Sequence, residues 1–191
     1  MVVSLIYNLA DTWFIARTGD TALVAGVSLC APVFTLMVAF SDIFGLGGSN
    51  LISRMLGRGS REEASNVSAF CIYGAVGFGA VTGAVMIFLQ DPILRLLGAS
   101  AETMSYASSY YFWLAVGAPA IILNIVPGNL LRTEGLSENA MVCTIAGAVI
   151  NIVLDPIFIF TFGMGAAGAA LATVLSNVIS DVFFLITMKR K

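Results

Sequence analysis

Five long stretches of uncharged, mostly apolar residues follow one another along the chain. They are Thr21–Ser41, Ala64–Gln90, Thr103–Leu131, Asn139–Leu154 and Pro156–Ser180. The longest exceed the ~20 residues that a helix needs to cross a hydrocarbon core of about 30 Å. They lack the ten-residue alternation of membrane β-strands, and a helix satisfies its own backbone hydrogen bonds in lipid. The pattern therefore predicts an all-α integral membrane protein.

A six-helix transmembrane bundle accounts for these stretches together with a shorter N-terminal helix. The predicted helices are Met1–Ala16, Ala22–Met55, Glu62–Leu89, Thr103–Arg132, Glu138–Phe162 and Gly165–Met188. The second is long enough to span the bilayer and continue beyond it. Its glycines Gly45, Gly47 and Gly48 are where we expect an interruption.

Small residues and prolines within the spans predict local features of the packing. The spacing Gly79-x3-Gly83 is typical of helices whose backbones approach closely in lipid. Prolines within a span bend or break a helix and free backbone carbonyl groups. The prolines in question are Pro32, Pro119, Pro127 and Pro156.

Lysines and arginines lie mainly at one end of the predicted bundle. Seven are at that end: Arg54, Arg58, Arg61, Arg132, Lys189, Arg190 and Lys191. The other end has Arg17 and Arg95. Since cytoplasmic loops carry the excess of positive charge, we expect a multi-pass protein of the cell membrane with both termini in the cytoplasm.

Composition narrows the function classes. The chain is 59% hydrophobic and 10% charged, whereas soluble domains carry roughly 25% charged residues, so lipid is the dominant partner. A net charge of −2 without a basic patch argues against nucleic acid. The chain has no histidine and no G-x-x-x-x-G-K-[ST] phosphate loop, and we expect no enzyme and no cofactor. Cys30, Cys71 and Cys143 lack metal-site spacing and are expected to be small buried hydrophobes.

Two aspartates within predicted spans are the main candidates for chemistry. An ionisable side chain costs about 2.5–3.5 kcal/mol inside a span, so it needs a partner or a cavity. Asp11 and Asp155 lie about 8 and 10 Å from the outer ends of their helices, and Asn151 precedes Asp155 by one turn on the same face. Thr173 and Tyr110 are expected about 12 and 10 Å deep on their own helices.

These five side chains could form one cation site. Hard oxygen ligands suit a hard cation, so Asp155, Asn151, Thr173 and Asp11 could bind Na⁺. A carboxyl group in that setting could equally load and release a proton, and the residues do not separate the two readings. Two aspartates within a membrane could in principle also form the catalytic pair of an aspartyl protease. Such a pair would need the two carboxyl groups at about 3 Å, sharing one proton.

Other readings of the aspartates are structural. Asp11 could reach the outer surface beside Arg17, and Asp155 could end a kinked half-helix before Pro156. Asp181 is expected near the inner end, within reach of the basic residues 189–191. Asp42 is expected to be solvated or paired with Arg54.

Three segments resemble the MATE family of multidrug and toxic compound extrusion transporters. They are YNLADTWFIARTGDTALVAGVSLCAPVFTLMVAFSDIFGLGGSNLISRMLGRG, LLRTEG and NIVLDPIFIFTFGMGAAGAALATVLSN. The resemblance spans essentially the whole chain. It implies an antiporter that exports organic, often cationic, drugs in exchange for Na⁺ or H⁺.

The resemblance also implies site residues and a partner. The family's N-lobe cation site would fall on Asp11, Asn151, Asp155 and Thr173, and its tyrosine in the fourth helix on or near Tyr110. The family has two six-helix lobes, so residues 1–191 would be one lobe, the N-terminal one, and its partner a second lobe or a second copy. The alternatives are a lipid-linked saccharide flippase lobe of the same superfamily and a non-transporting half-protein.

Overall fold

The computed structural model describes residues 2–189, with side chains from Leu9 onward, and every regular element within that range is helical. The α-helices are α1 (Val2–Ala16), α2 (Thr21–Leu29), α3 (Ala31–Gly57), α4 (Arg61–Phe88), α5 (Gln90–Leu96), α6 (Met104–Thr133), α7 (Ser137–Pro156) and α8 (Gly165–Lys189). A π-helical segment, Ile157–Thr161, follows α7. Met1, Arg190 and Lys191, which the sequence assigns to helix one and the basic end, lie outside the described residues.

Five segments are long and apolar enough to cross a membrane. They are Thr21–Gly57, Arg61–Phe88, Met104–Thr133, Ser137–Thr161 and Gly165–Lys189. With the 15-residue α1 they reproduce the six predicted helices to within a few residues at each end. The all-α membrane fold is confirmed.

The second predicted helix is interrupted at a different place from the one expected. Gly45, Gly47 and Gly48 lie inside the continuous helix α3. The break falls at Cys30, which separates α2 from α3, and Pro32 follows in the first turn of α3. Because proline has no backbone N–H, the hydrogen-bond ladder loses one bond there, whereas glycine weakens a helix without removing a donor. Proline does not always end a helix, since α6 continues through Pro119 and Pro127.

Two elements have no counterpart in the sequence prediction. Helix α5 (Gln90–Leu96) occupies the connection between α4 and α6. The predicted fifth helix is divided, because α7 ends at Pro156 and the chain continues as the π-helical segment. Proline accounts for this division as well, since the ladder loses a donor there.

Helix α6 is the centre of the bundle and packs against α2, α3, α4, α7 and α8. Glycines on α4 allow its close approach, because a Cβ at Gly79 would come within 2.6 Å of Pro119 Cα and one at Gly83 would overlap the carbonyl oxygen of Ala115. The close packing that the Gly79–Gly83 spacing predicts is confirmed. All three cysteines are buried, also as expected.

Candidate functional site

The end of the bundle where α1 stops and α8 starts holds the two candidate aspartates. Helix α1 packs against α7 and carries Asp11, while α7 carries Asn151 and Asp155. The carboxyl groups of Asp11 and Asp155 are close enough to interact electrostatically. Two chain segments 144 residues apart thus contribute to one polar cluster, which we call the α1–α7 cluster (Asp11, Asn151 and Asp155).

Asn151 and Asp155 form a hydrogen-bonded pair within that cluster. Asn151 is 3% exposed and Asp155 is fully buried. The amide Nδ2 of Asn151 donates to Asp155 Oδ1 at 3.4 Å. The pair arises from the four-residue spacing, which places both side chains on one helix face.

Three oxygen atoms of the cluster are buried without a hydrogen-bond partner among the described residues. They are Asp11 Oδ1, Asn151 Oδ1 and Asp155 Oδ2. A buried acceptor left unsatisfied costs about 1–3 kcal/mol, and more when it is charged. Three such oxygen atoms, two of them from carboxyl groups, are the kind of ligands that a hard cation binds. A proton would instead bind to one of the carboxyl groups.

The guanidinium group of Arg17 is directed toward Trp13 and not toward the carboxyl group of Asp11. The guanidinium of Arg17 lies over the ring of Trp13, 5.1 Å from its centroid, in a cation–π contact. Asp11 Oδ1 is buried, and Arg17 does not satisfy it. This arrangement favours a site at Asp11 over a carboxylate that reaches the surface beside Arg17.

Helix α8 brings Thr173 to the level of the cluster. Helices α7 and α8 run antiparallel, with Cys143 beside Thr187 and Gly147 beside Ser180. Continued along both helices, this register places Thr173 opposite Asp155. The hydroxyl of Thr173 donates to the carbonyl of Ala169 at 3.1 Å, which leaves its oxygen lone pairs as acceptors.

Tyr110 lies nearer the predicted outer end than the sequence suggests. Helices α6 and α8 run parallel, with Gly117 against Val174 and Gly128 against Phe184. In this register Tyr110 lies about 9 Å along the helix axis from the level of Thr173. Its buried neighbour Tyr111 has a hydroxyl group without a hydrogen-bond partner in the described part of the chain.

A second polar pair was missed by sequence reasoning. Asp181 is 5% exposed, and its Oδ1 accepts a hydrogen bond of 3.0 Å from Asn124 Nδ2 on α6. The sequence placed Asp181 with the basic residues 189–191, but Lys189 is exposed. Two signals were available in the sequence: Asn124, an amide in the middle of an apolar span, and Asn177, which precedes Asp181 by the same four residues that separate Asn151 from Asp155.

The sequence profile of one family, MatE, matches residues 1–157. The chain belongs to the MatE family. It is 36% identical over 190 residues to the multidrug export protein MepA of Staphylococcus saprophyticus, a match that covers 100% of this chain and 42% of that protein. It is 35% identical over 185 residues to MepA of Staphylococcus aureus, which covers 97% of this chain and 41% of the relative.

Solved MATE structures agree with this fold. An outward-facing multidrug resistance MATE transporter superposes with a TM-score of 0.93 at 36% identity, over 100% of this chain and 43% of that one. An inward-facing structure superposes with a TM-score of 0.89 at 36% identity, over 95% of this chain and 41% of that one. The chain thus spans about two fifths of the length of the MatE relatives it matches.

Proposed function

We propose that this chain is the cation-binding lobe of a secondary antiporter that exports organic, often cationic, drugs in exchange for Na⁺ or H⁺. One observation carries the proposal: Asp11 Oδ1, Asn151 Oδ1 and Asp155 Oδ2 are buried together, and no side chain or backbone group among the described residues donates to them. In this proposal Thr173, level with Asp155, supplies a fourth oxygen, and Tyr110 acts from the outer side of the site without ligating the ion directly.

The cluster gives the ion a physical role in transport. Two ionised carboxyl groups repel each other in a medium of low dielectric constant, and a bound cation or proton removes that repulsion. The ion therefore stabilises the arrangement in which α1 packs closely on α7. Its release favours a different packing, and an ion shifts a conformational equilibrium by its differential affinity for the two states.

The proposals of a drug substrate and of a second lobe are based on the related proteins. The matched MepA proteins are named multidrug export proteins, and this chain covers 42% of the first of them. We propose that a second six-helix lobe or a second copy completes the transporter. A lipid-linked saccharide would call for basic side chains within the cavity, and no lysine or arginine falls in the middle of a predicted span.

The ion assignment is tested by titrating the purified chain with sodium chloride in a calorimeter, with potassium as the ionic-strength control. We expect Asp155→Asn to weaken sodium binding at least about tenfold, equivalent to ~1.4 kcal/mol. The matched control is Asp91→Asn, since Asp91 is exposed. Equal sodium and proton binding by the two variants would refute the assignment.

The drug assignment is tested through linkage. If ion and drug stabilise different states, saturating sodium should weaken binding of ethidium, a fluorescent organic cation, by about 5–150-fold. Fluorescence anisotropy of ethidium with the purified chain measures this. Ethidium binding that is absent, or that is indifferent to the ion, would contradict the antiport proposal.

A further inference from the structure

Asp181 is a buried carboxyl group that the cation site does not use. It lies eight residues, or about 12 Å, before the C-terminal end of α8 at Lys189. Thr173 is a further 12 Å toward the other end, by the same helical rise. Asp181 therefore belongs to neither the α1–α7 cluster nor the basic end of the helix.

The immediate contact of Asp181 is an amide that donates. Asn124 Nδ2 lies 3.0 Å from Asp181 Oδ1 and 3.4 Å from the carbonyl oxygen of Asn177. Two acceptors face the same amide nitrogen, so the amide cannot be turned to present its oxygen there. The group next to Asp181 Oδ1 is therefore a hydrogen-bond donor, as Asn151 is for Asp155 Oδ1.

Charged and titratable groups on the surrounding helices point elsewhere. On α6, Arg132 donates to Asn129 Oδ1 at 3.2 Å, one turn or more beyond Asn124. On α7, the thiol of Cys143 lies 3.6 Å from the hydroxyl of Thr187, and on α8 Lys189 is exposed. Asp11 and Asp155 lie toward the opposite end of the bundle.

An ionised carboxylate in this position would be held by one neutral amide inside a membrane span. Such a charge is costly unless it is paired or neutralised. A metal cation requires several oxygen ligands, and the carbonyl oxygen of Asn177, one turn before Asp181, is already engaged by the Asn124 amide. A proton requires only the carboxyl group itself and neutralises it completely.

We propose that Asp181 is a proton-binding site, separate from the α1–α7 cluster and held in place by Asn124. Asn124 and Asn177 are half-buried, so they form the polar edge through which a proton reaches the carboxyl group. Protonation keeps α6 and α8 packed at this level, and loss of the proton places an uncompensated charge between them. This inference does not rest on the proposed antiport function.

Infrared spectroscopy of the purified full chain between about pH 5 and 8 tests the inference, because a protonated carboxylic acid has a carbonyl band that an ionised one lacks. We expect Asp181→Asn to remove one such band. We expect Asn124→Leu, which removes the donor at similar size, to shift that band to higher frequency. The band should be unchanged by sodium and should persist in Asp155→Asn.

Three results would overturn the inference. The first is a spectrum in which Asp181→Asn removes no carboxylic acid band at any pH in that range. The second is loss of the Asp181 band on addition of sodium, which would make the residue a metal-cation ligand. The third applies if Asp181→Asn does not fold: an Asn124→Leu protein whose carboxylic acid band is not shifted would then contradict the proposal. Failure of the antiport proposal would show separately, as unaltered ion binding in Asp155→Asn.

Discussion

At the scale of single residues, the oxygen atoms of the buried carboxyl groups differ in whether they have a hydrogen-bond donor. Asp155 Oδ2 and Asp11 Oδ1 face no donor among the described residues. Asp155 Oδ1 and Asp181 Oδ1 each accept a hydrogen bond from an asparagine amide. The pairing of Asn151 with Asp155 was predictable, because four-residue spacing on a helix fixes it. The pairing of Asp181 with Asn124 joins residues 57 positions apart, and only the tertiary packing of α6 on α8 determines it.

A fourth aspartate, Asp20, joins two helices at the surface. It caps α2 by accepting from the backbone N–H groups of Ala22 at 2.9 Å and Leu23 at 3.2 Å. It also accepts from the Tyr106 hydroxyl at 2.7 Å. The hydrogen bond from Tyr106, followed by that from Leu23, lowers the pKa of Asp20.

We expect Asp20→Leu to lower the thermal unfolding midpoint more than Asp20→Asn, since asparagine also caps helices. Because the folded-state pKa is lowered, the contribution of Asp20 is present above the unfolded pKa of about 3.9 and is lost as the pH falls through the folded value. The difference between wild type and Asp20→Leu should therefore shrink in strong acid. A pH-independent difference in melts followed by tryptophan fluorescence would contradict this account.

At the scale of helices, apolar patterning determined where the spans lie, and two of the four prolines within them mark where they break. The other two, Pro119 and Pro127, lie inside the continuous helix α6. The six helices follow from runs of uncharged residues, whose lengths match the bilayer. The break at Cys30 could have been assigned to Pro32, but the glycine-rich segment Gly45–Gly48 was the more conspicuous signal. Two of those glycines serve packing instead, since Gly45 faces Asn129 and Gly48 faces Cys71, whereas a Cβ at Gly47 would meet nothing within 4 Å.

Close contact between α4 and α6 gives a second prediction. We expect Gly83→Ala to destabilise the bundle by about 1–3 kcal/mol, because the added Cβ overlaps the carbonyl of Ala115. The matched control is Gly77→Ala on the same helix, where a Cβ meets nothing within 4 Å. Denaturant unfolding of both variants in detergent measures the difference. Equal stability of the two would show that α4 and α6 do not approach so closely.

At the scale of the whole molecule, the bundle presents two chemically different ends. One end carries the α1–α7 cluster, and the other carries Arg54, Arg58, Arg61 and Arg132. The excess of positive charge predicts which end faces the cytoplasm, because orientation follows the distribution of lysine and arginine. In the proposed transporter, the apolar pattern alone does not distinguish the surface that would meet a second lobe from the surfaces that face lipid.

Thiol labelling tests this orientation with a matched pair. Glu62, in the first turn of α4, and Glu102, before α6, are both exposed and lie at opposite ends of the bundle, while the native cysteines are buried. A membrane-impermeant reagent added to intact cells should label Glu102→Cys and should reach Glu62→Cys only after the cells are opened. The reverse pattern would place the termini outside.

The most direct test of the central claim is a double-mutant cycle on ion binding by Asp11 and Asp155. If the two carboxyl groups hold one ion, Asp11→Asn and Asp155→Asn should each weaken binding, and the double variant should lose far less than the sum of the two effects. Equilibrium binding of sodium, and of protons by potentiometric titration, to the four proteins measures this. Additive losses, or sodium binding that survives in the double variant, would contradict a shared site.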